Sequence, residues 1–156
     1  RGLLAGLGYA GVKTLLNSGN AVFQAPGTSA PAHAKAVASA ISDTLGVEVP
    51  VVVKSAKQLA AIVNENPFAS VAADHSRLVV AFTQDEDSLS ALECIASLVT
   101  PPEGFVVARH AAYLHCASGI LESKAGEALL GKLGRSATTR NWATTLKLHA
   151  LASGKA

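Results

Sequence analysis

Hydrophobic and polar positions divide the chain into helical stripes and short β-type runs. Residues 1–8 (RGLLAGLG) read as the last turns of a helix, closed by Gly8, which tolerates a left-handed backbone. Residues 12–23 read as a hairpin. VKTLL and AVF are β-rich, and Asn17, Ser18, Gly19 and Asn20 between them suit a turn. Ser29 is placed to cap a helix with Pro31 in its first turn. Ala34, Val37, Ala38, Ile41 and Leu45 form its apolar stripe, and Gly46 ends it. Residues 48–54 (EVPVVVK) read as a strand covered on both faces.

Ser55 and Gln58 have capping-box spacing and open a helix that Pro67 stops at Asn66. Leu78–Phe82 is a second buried-type strand. Asp85, Glu86 and Asp87 then supply carboxylates to the start of a helix that buries Leu89, Leu92, Ala96 and Val99. A hairpin is expected from Phe105–Ala108 and Tyr113–Cys116, turning at His110 and Ala111. A helix is expected near Ala125–Leu133. A last helix, capped by Thr138 or Thr139, is expected from Arg140 to about Leu151.

The two halves echo each other: helix, hairpin, helix. Each is the pattern of a split βαβ, or ferredoxin-like, unit. The second half has a leading strand at Leu78–Phe82, and the first shows no counterpart. The expected fold is α+β, with two ferredoxin-like lobes in one compact domain (1–156) and the first strand of lobe one absent. Lobe one is 1–54, a connecting helix 55–68, and lobe two with the C-terminal helix 69–156. The absence of Met and the start at Arg1 fit that missing strand, so a gap, a substitute strand or exposed apolar edges are expected beside Val12–Leu16 and Val51–Val53.

Composition narrows the classes. The chain is 49% hydrophobic and 15% charged, too apolar for a disordered segment. No apolar stretch approaches the ~18 residues of a membrane span, so no membrane partner is expected. Cys94 and Cys116 are too few for a disulfide scaffold, which points to a reduced, cytoplasmic setting. From Ser123 onward there are six basic residues and one acid. The first 122 residues carry seven basic and ten acidic groups. A basic C-terminal segment on a slightly acidic body attracts anions.

Three segments carry a resemblance. LNSGNAVF (Leu16–Phe23) is similar to a Q-S-G-N-V-V-F hairpin. VPVVVKSAKQLAAIVNENPF (Val49–Phe68) is similar to V-x-V-R-T-x-x-E-L-x-x-I-x-x-N-P-F. TTRNWATTLKL (Thr138–Leu148) is similar to T-x-R-N-W-x-T-V-x-K-L. In this order and spacing the chain resembles the bacterial family catalogued as domain of unknown function 1697. The resemblance implies a duplicated ferredoxin-like fold. It also implies a first strand reading like Y-V-A-L-L-R-G-I-N-V-G-G, whose glycine-rich loop would suit an anion. It implies no activity.

The candidate chemistry is modest. On helical spacing Arg140, Thr144 and Lys147 share one side, with Trp142 and Leu146 opposite. Arg140, Asn141 and Lys147 could form an anion-reading edge, because a guanidinium fork matches phosphate or carboxylate. Alternatively Arg140 and Asn141 tie the helix start to neighbouring carbonyls, and Trp142 is a core anchor. Ser18 and Asn20 on the hairpin turn, Lys54 after the strand, and Lys124 at a helix start complete the candidate ligand contacts. The hairpin turn and the helix start also have plain structural roles available, a positive φ at Gly19 and a cap at Ser123. No G-x-S-x-G elbow, metal-ligand spacing or nucleotide fingerprint occurs, so no cofactor or metal is expected. The expectation is a binding module for nucleic acid or a phosphorylated small molecule. The alternatives are an enzyme acting on a small substrate between the lobes, and a structural or protein-interaction module.

Overall fold

The computed structural model describes residues 2–15, 19–27 and 29–154. Its centre is Leu78–Phe82 (β3), in which all five residues are buried. Alternate β3 side chains face opposite layers, as the period of two requires. Val79 and Ala81 join a core with Leu92, Ile95, Leu114 and Leu129. Leu78, Val80 and Phe82 join another with Leu59, Ile62, Tyr113 and Trp142. Each large side chain buried this way contributes roughly 1.5–3 kcal/mol.

A strand buried on both faces must also pair on both edges, because its backbone polar groups have no water. One edge of β3 pairs antiparallel with Ala112–His115 (β5), which pairs in turn with Gly104–Val107 (β4). The other edge pairs with Thr138–Asn141 (β6). The sheet order is β4-β5-β3-β6, with all described neighbours antiparallel. With helices after β3 and after β5, this is the ferredoxin-like arrangement. On one face lie Glu86–Ser90 (with the 3-10 segment Ala91–Leu98) and Lys124–Leu130. The other face is covered by Ala56–Glu65 and Trp142–Ala152. In chain order, with Gly2–Gly6 and Ala30–Leu45 first, these helices are α1 and α2, then α3 (Ala56–Glu65), α4 (Glu86–Ser90), α5 (Lys124–Leu130) and α6 (Trp142–Ala152).

The C-terminal segment corrects the sequence reading. Thr138 and Thr139 are not caps but strand residues, and Arg140 and Asn141 precede the helix. The free edge of β3 recruits them. Asn141 then caps α6, accepting from Thr144 N at 2.9 Å. Arg140, Thr144 and Lys147 therefore do not share a helix side, and Thr144 is buried. Trp142 is the core anchor of that helix.

The N-terminal lobe carries α1, the hairpin Ala10–Leu15 (β1) and Asn20–Gln24 (β2), and α2. Ser29 caps α2, and Gly46 ends it at φ 67°. Leu4, Tyr9 and Val37 form the core of this lobe. Tyr9 stacks on Phe23 with ring centroids 4.4 Å apart, and its hydroxyl meets His33 Nδ1 at 2.9 Å.

The expected strand at 48–54 does not form. Residues 47–55 run on without strand or helix, and the N-terminal sheet has two strands among the described residues. A run of valines becomes a strand only against a partner backbone. Here the side-chain amide of Gln84 serves Val53 instead: Val53 N donates to Gln84 Oε1 at 2.8 Å, and Gln84 Nε2 donates to Val53 O at 3.2 Å. Val47 and Val49 are left exposed.

Candidate functional site

Arg140 joins the two lobes. It lies opposite Val80 in the β3–β6 ladder, on the sheet face that α3 and α6 cover. Its Nε donates to Asn20 Oδ1, Nη1 to Thr139 O at 2.7 Å, and Nη2 to Gly19 O at 3.4 Å. Asn20 is buried, and its Nδ2 donates to Leu15 O at 3.2 Å across the hairpin. One amide thus closes the hairpin with its nitrogen and docks it onto β6 with its oxygen. Gly19 permits this turn because its φ of 78° is strained for a residue with Cβ. Burial pulls the Arg140 guanidinium below its ordinary pKa.

The other sequence-predicted contacts do not converge on Arg140. Asn141 follows it on the strand, and its side chain is engaged in capping α6. Lys147 is exposed on α6. Lys124 is exposed at the start of α5, in the layer on the other side of the sheet. Ser18 lies outside the described residues.

Lys54 is half-buried just before the α3 cap. Burial lowers its pKa, and the nearby Asp85 carboxylate offsets part of that cost. Val53 is tied to Gln84, four residues beyond the Val80 that faces Arg140.

A cluster that the sequence reading passed over lies at the far end of α3. Glu65 accepts from Arg109 N at 3.0 Å, His110 N at 3.1 Å, and Tyr113 Oη at 2.7 Å. Its carboxylate also meets His110 Nδ1 at 2.9 Å. Tyr113 is fully buried, and its one hydroxyl hydrogen is shared between Glu65 and Ile62 O, the latter 2.6 Å away. Burial, then the Glu65 contact, push the phenol well above its ordinary pKa. A signal was present in the sequence. A carboxylate in the last turn of a helix opposes the helix dipole, so Glu65 needs compensating donors elsewhere. The length of α3 separates this cluster from Lys54 by about 15 Å.

His115 and Cys116 face opposite layers, as alternation on a strand predicts. His115 lies against Phe68, and Cys116 is buried in the other core. Among the described residues no three His, Cys, Asp or Glu side chains are grouped to hold a metal ion. No described helix is long and apolar enough to cross a membrane. An open depression of about 370 Å³ is lined by Ser76, Arg77, Ser118, Gly119, Ile120 and Glu122, with none of the predicted contacts on its wall.

Residues 1–113 match the family model described as "Protein of unknown function (DUF1697)". The chain belongs to the DUF1697 family. No curated protein matches it. Among solved structures, this DUF1697 protein is similar to the conserved bacterial protein SP0830 from Streptococcus pneumoniae. Identity is 19% and the TM-score 0.78, covering 98% of this chain and 86% of that one. That likeness establishes the α+β fold. The third motif, Thr138–Leu148, lies beyond the matched span, so its role in this DUF1697 chain rests on its own geometry. It pairs the sheet and anchors the hairpin.

Proposed function

We propose that this protein binds an anionic, phosphate-bearing ligand where the two lobes meet, with Lys54 as the principal cation. The observation that carries the reading is the half-burial of Lys54 at that seam, beside the Asp85 carboxylate. Dehydrating an ammonium is costly, and an incoming anion offsets that cost directly. Arg140 acts as a positioning residue. Its fork holds Gly19 and Asn20, and so fixes the hairpin turn beside the seam. Asn141 supports α6, and exposed Lys147 adds charge in the same layer. Lys124, across the sheet, is left out of the site.

The ligand class is tested by thermal shift and fluorescence anisotropy. The probes are inorganic pyrophosphate, a nucleoside triphosphate and a labelled single-stranded oligonucleotide. A ligand at about 100 times its Kd adds roughly 2.7 kcal/mol of stability. Lys54→Ala should abolish the shift without lowering the basal Tm. Oligonucleotide affinity should fall steeply with added salt, because phosphate contacts release counterions. Absence of any shift with all three probes at low salt would refute the reading.

A further inference from the structure

The depression lined by Ser76, Arg77, Ser118, Gly119, Ile120 and Glu122 lies at the opposite end of β3 from Lys54. Its volume of about 370 Å³ falls within the roughly 300–1,000 Å³ of small-molecule sites. Its two walls are fastened together by backbone. Cys116 N donates to Arg77 O at 2.8 Å, which extends the β3–β5 pairing by one more bond. Gly119 N donates to Cys116 O at 2.9 Å, and Glu122 N to Gly119 O at 3.2 Å. The turn that carries Ser118 and Glu122 is therefore held against the end of the sheet.

The Arg77 side chain bridges the walls. Its Nη1 donates to Ala117 O, and its Nε lies 3.5 Å from Asp74 Oδ2. Asp74 is fixed in turn by Ser76, whose amide and hydroxyl both donate to Asp74 Oδ1. These contacts orient the guanidinium and leave Nη2, with two N–H groups, without a partner among the described residues. The exposed Glu122 carboxylate and the Ser118 hydroxyl have no partner among those residues either. Arg77 and Glu122 line one depression yet form no ion pair with each other. Opposite charges held apart in this way are complementary to a ligand that carries both. Ile120 forms part of this wall and also of a neighbouring depression of about 240 Å³, which exposed Leu130 lines. An apolar path therefore leads away from the charged groups.

We propose that this depression binds a free α-amino acid with an aliphatic side chain. The ligand carboxylate accepts from the Nη2 edge of Arg77, a charge-assisted contact. Its ammonium donates to Glu122 and to the Ser76 and Ser118 hydroxyl oxygens, which keep acceptor capacity. The side chain passes over Ile120 toward Leu130. A simple anion leaves Glu122 without a counter-charge, and a simple cation leaves Arg77 without one, so the pair selects a zwitterion. This goes beyond phosphate binding at Lys54 and uses none of the same residues.

The probes are leucine, leucine methyl ester and N-acetyl-leucine, titrated into isotope-labelled protein and followed by backbone amide shifts. Leucine should bind with a Kd on the order of 1 mM and move the amides of residues 76–77 and 118–122. The ester lacks the carboxylate and the acetyl derivative lacks the ammonium, so each should bind at least tenfold more weakly. Glu122→Gln should make leucine and N-acetyl-leucine bind equally, and Arg77→Gln should do the same for leucine and its ester. Arg77 also ties down Ala117, but comparison of the three probes on the unaltered protein holds whether or not that variant folds. Lys54→Ala should leave leucine binding unchanged, which separates this site from the phosphate reading. Absence of shifts at about 20 mM leucine would overturn the proposal. So would N-acetyl-leucine or the ester binding as tightly as leucine, which would mark a plain anion or cation site, or shifts confined to residues outside the depression.

Discussion

Replacing Glu65 tests whether the carboxylate at the end of α3 clamps the β4–β5 turn onto that helix. The side chain is 17% exposed and accepts from two backbone amides, an imidazole and a phenol. Arg109 N is exposed, so water replaces its bond at little cost. The bonds from His110 and Tyr113 are part-buried, and bonds to a charged acceptor contribute about 1.5–3 kcal/mol each. The Tyr113 hydroxyl keeps Ile62 O, which limits the loss. Glu65→Ala should therefore destabilise by about 3 kcal/mol, a Tm fall of roughly 6–12 °C for a chain of this size. Glu65→Gln should cost much less, for a reason of proton placement. Tyr113 has one hydroxyl hydrogen and two oxygen neighbours, at 2.6 and 2.7 Å. A glutamine amide donates to the phenol oxygen while the phenol donates to Ile62 O, so every partner is satisfied. Urea unfolding followed by tryptophan fluorescence would report both variants, because Trp142 lies in the same core. Equal losses for Ala and Gln, or losses below about 0.5 kcal/mol for both, would refute the clamp.

Four further outcomes follow from the geometry. Arg140→Ala should lower the Tm and speed amide exchange in β2 before β3, since the hairpin loses its tie through Asn20 and Gly19; uniform loss across both lobes would count against this. A maleimide should label exposed Cys94 at neutral pH but spare Cys116 until unfolding, because burial pushes the Cys116 thiol up to about 11; mass spectrometry of the native protein decides it. The Asp85 carboxyl is held below its usual range by its bonds to Ser88, so its contribution is present above the ordinary carboxylate pKa and is lost as pH falls through the folded value. Lys54 is depressed by burial, so the folded state binds fewer protons and stability rises with pH toward 10.5. Asp85→Asn should flatten the acid limb of a Tm–pH profile, and Lys54→Met the alkaline one. Gly134→Ala should cost about 3 kcal/mol or more, because its Cβ would stand 1.7 Å from Leu129 O; a near-normal Tm would contradict the close approach.

Local chemistry was readable where a residue settled its own backbone. Ser29, Gly46, the Ser55–Gln58 capping box and Asp85 all act where the sequence placed them. Leu78–Phe82 was legible as a buried strand because a continuous apolar run needs cover on both faces. What periodicity could not convey was partnership. Thr138–Asn141 is polar and looks like a cap, yet it is a strand because β3 has a second edge to satisfy. Val49–Val53 looks like a strand, yet has only the amide of Gln84 to pair with.

The same distinction separates the two halves of the candidate site. Arg140 and Asn20 are 120 residues apart, and only the docking of β2 beside β6 brings them together. Spacing within TTRNWATTLKL could not reveal that, and a helical wheel drawn through it set Arg140 beside Lys147. The strand reassigns them: Arg140 reaches the hairpin through Asn20, and Asn141 caps α6. A charge placed by a long-range backbone demand is therefore occupied before any ligand arrives. Lys54, half-buried beside Asp85, is the cation on which the proposed anion binding rests. Under the proposed function the weight thus moves from the segment richest in recognisable residues to a lysine in a stretch that looked like ordinary strand.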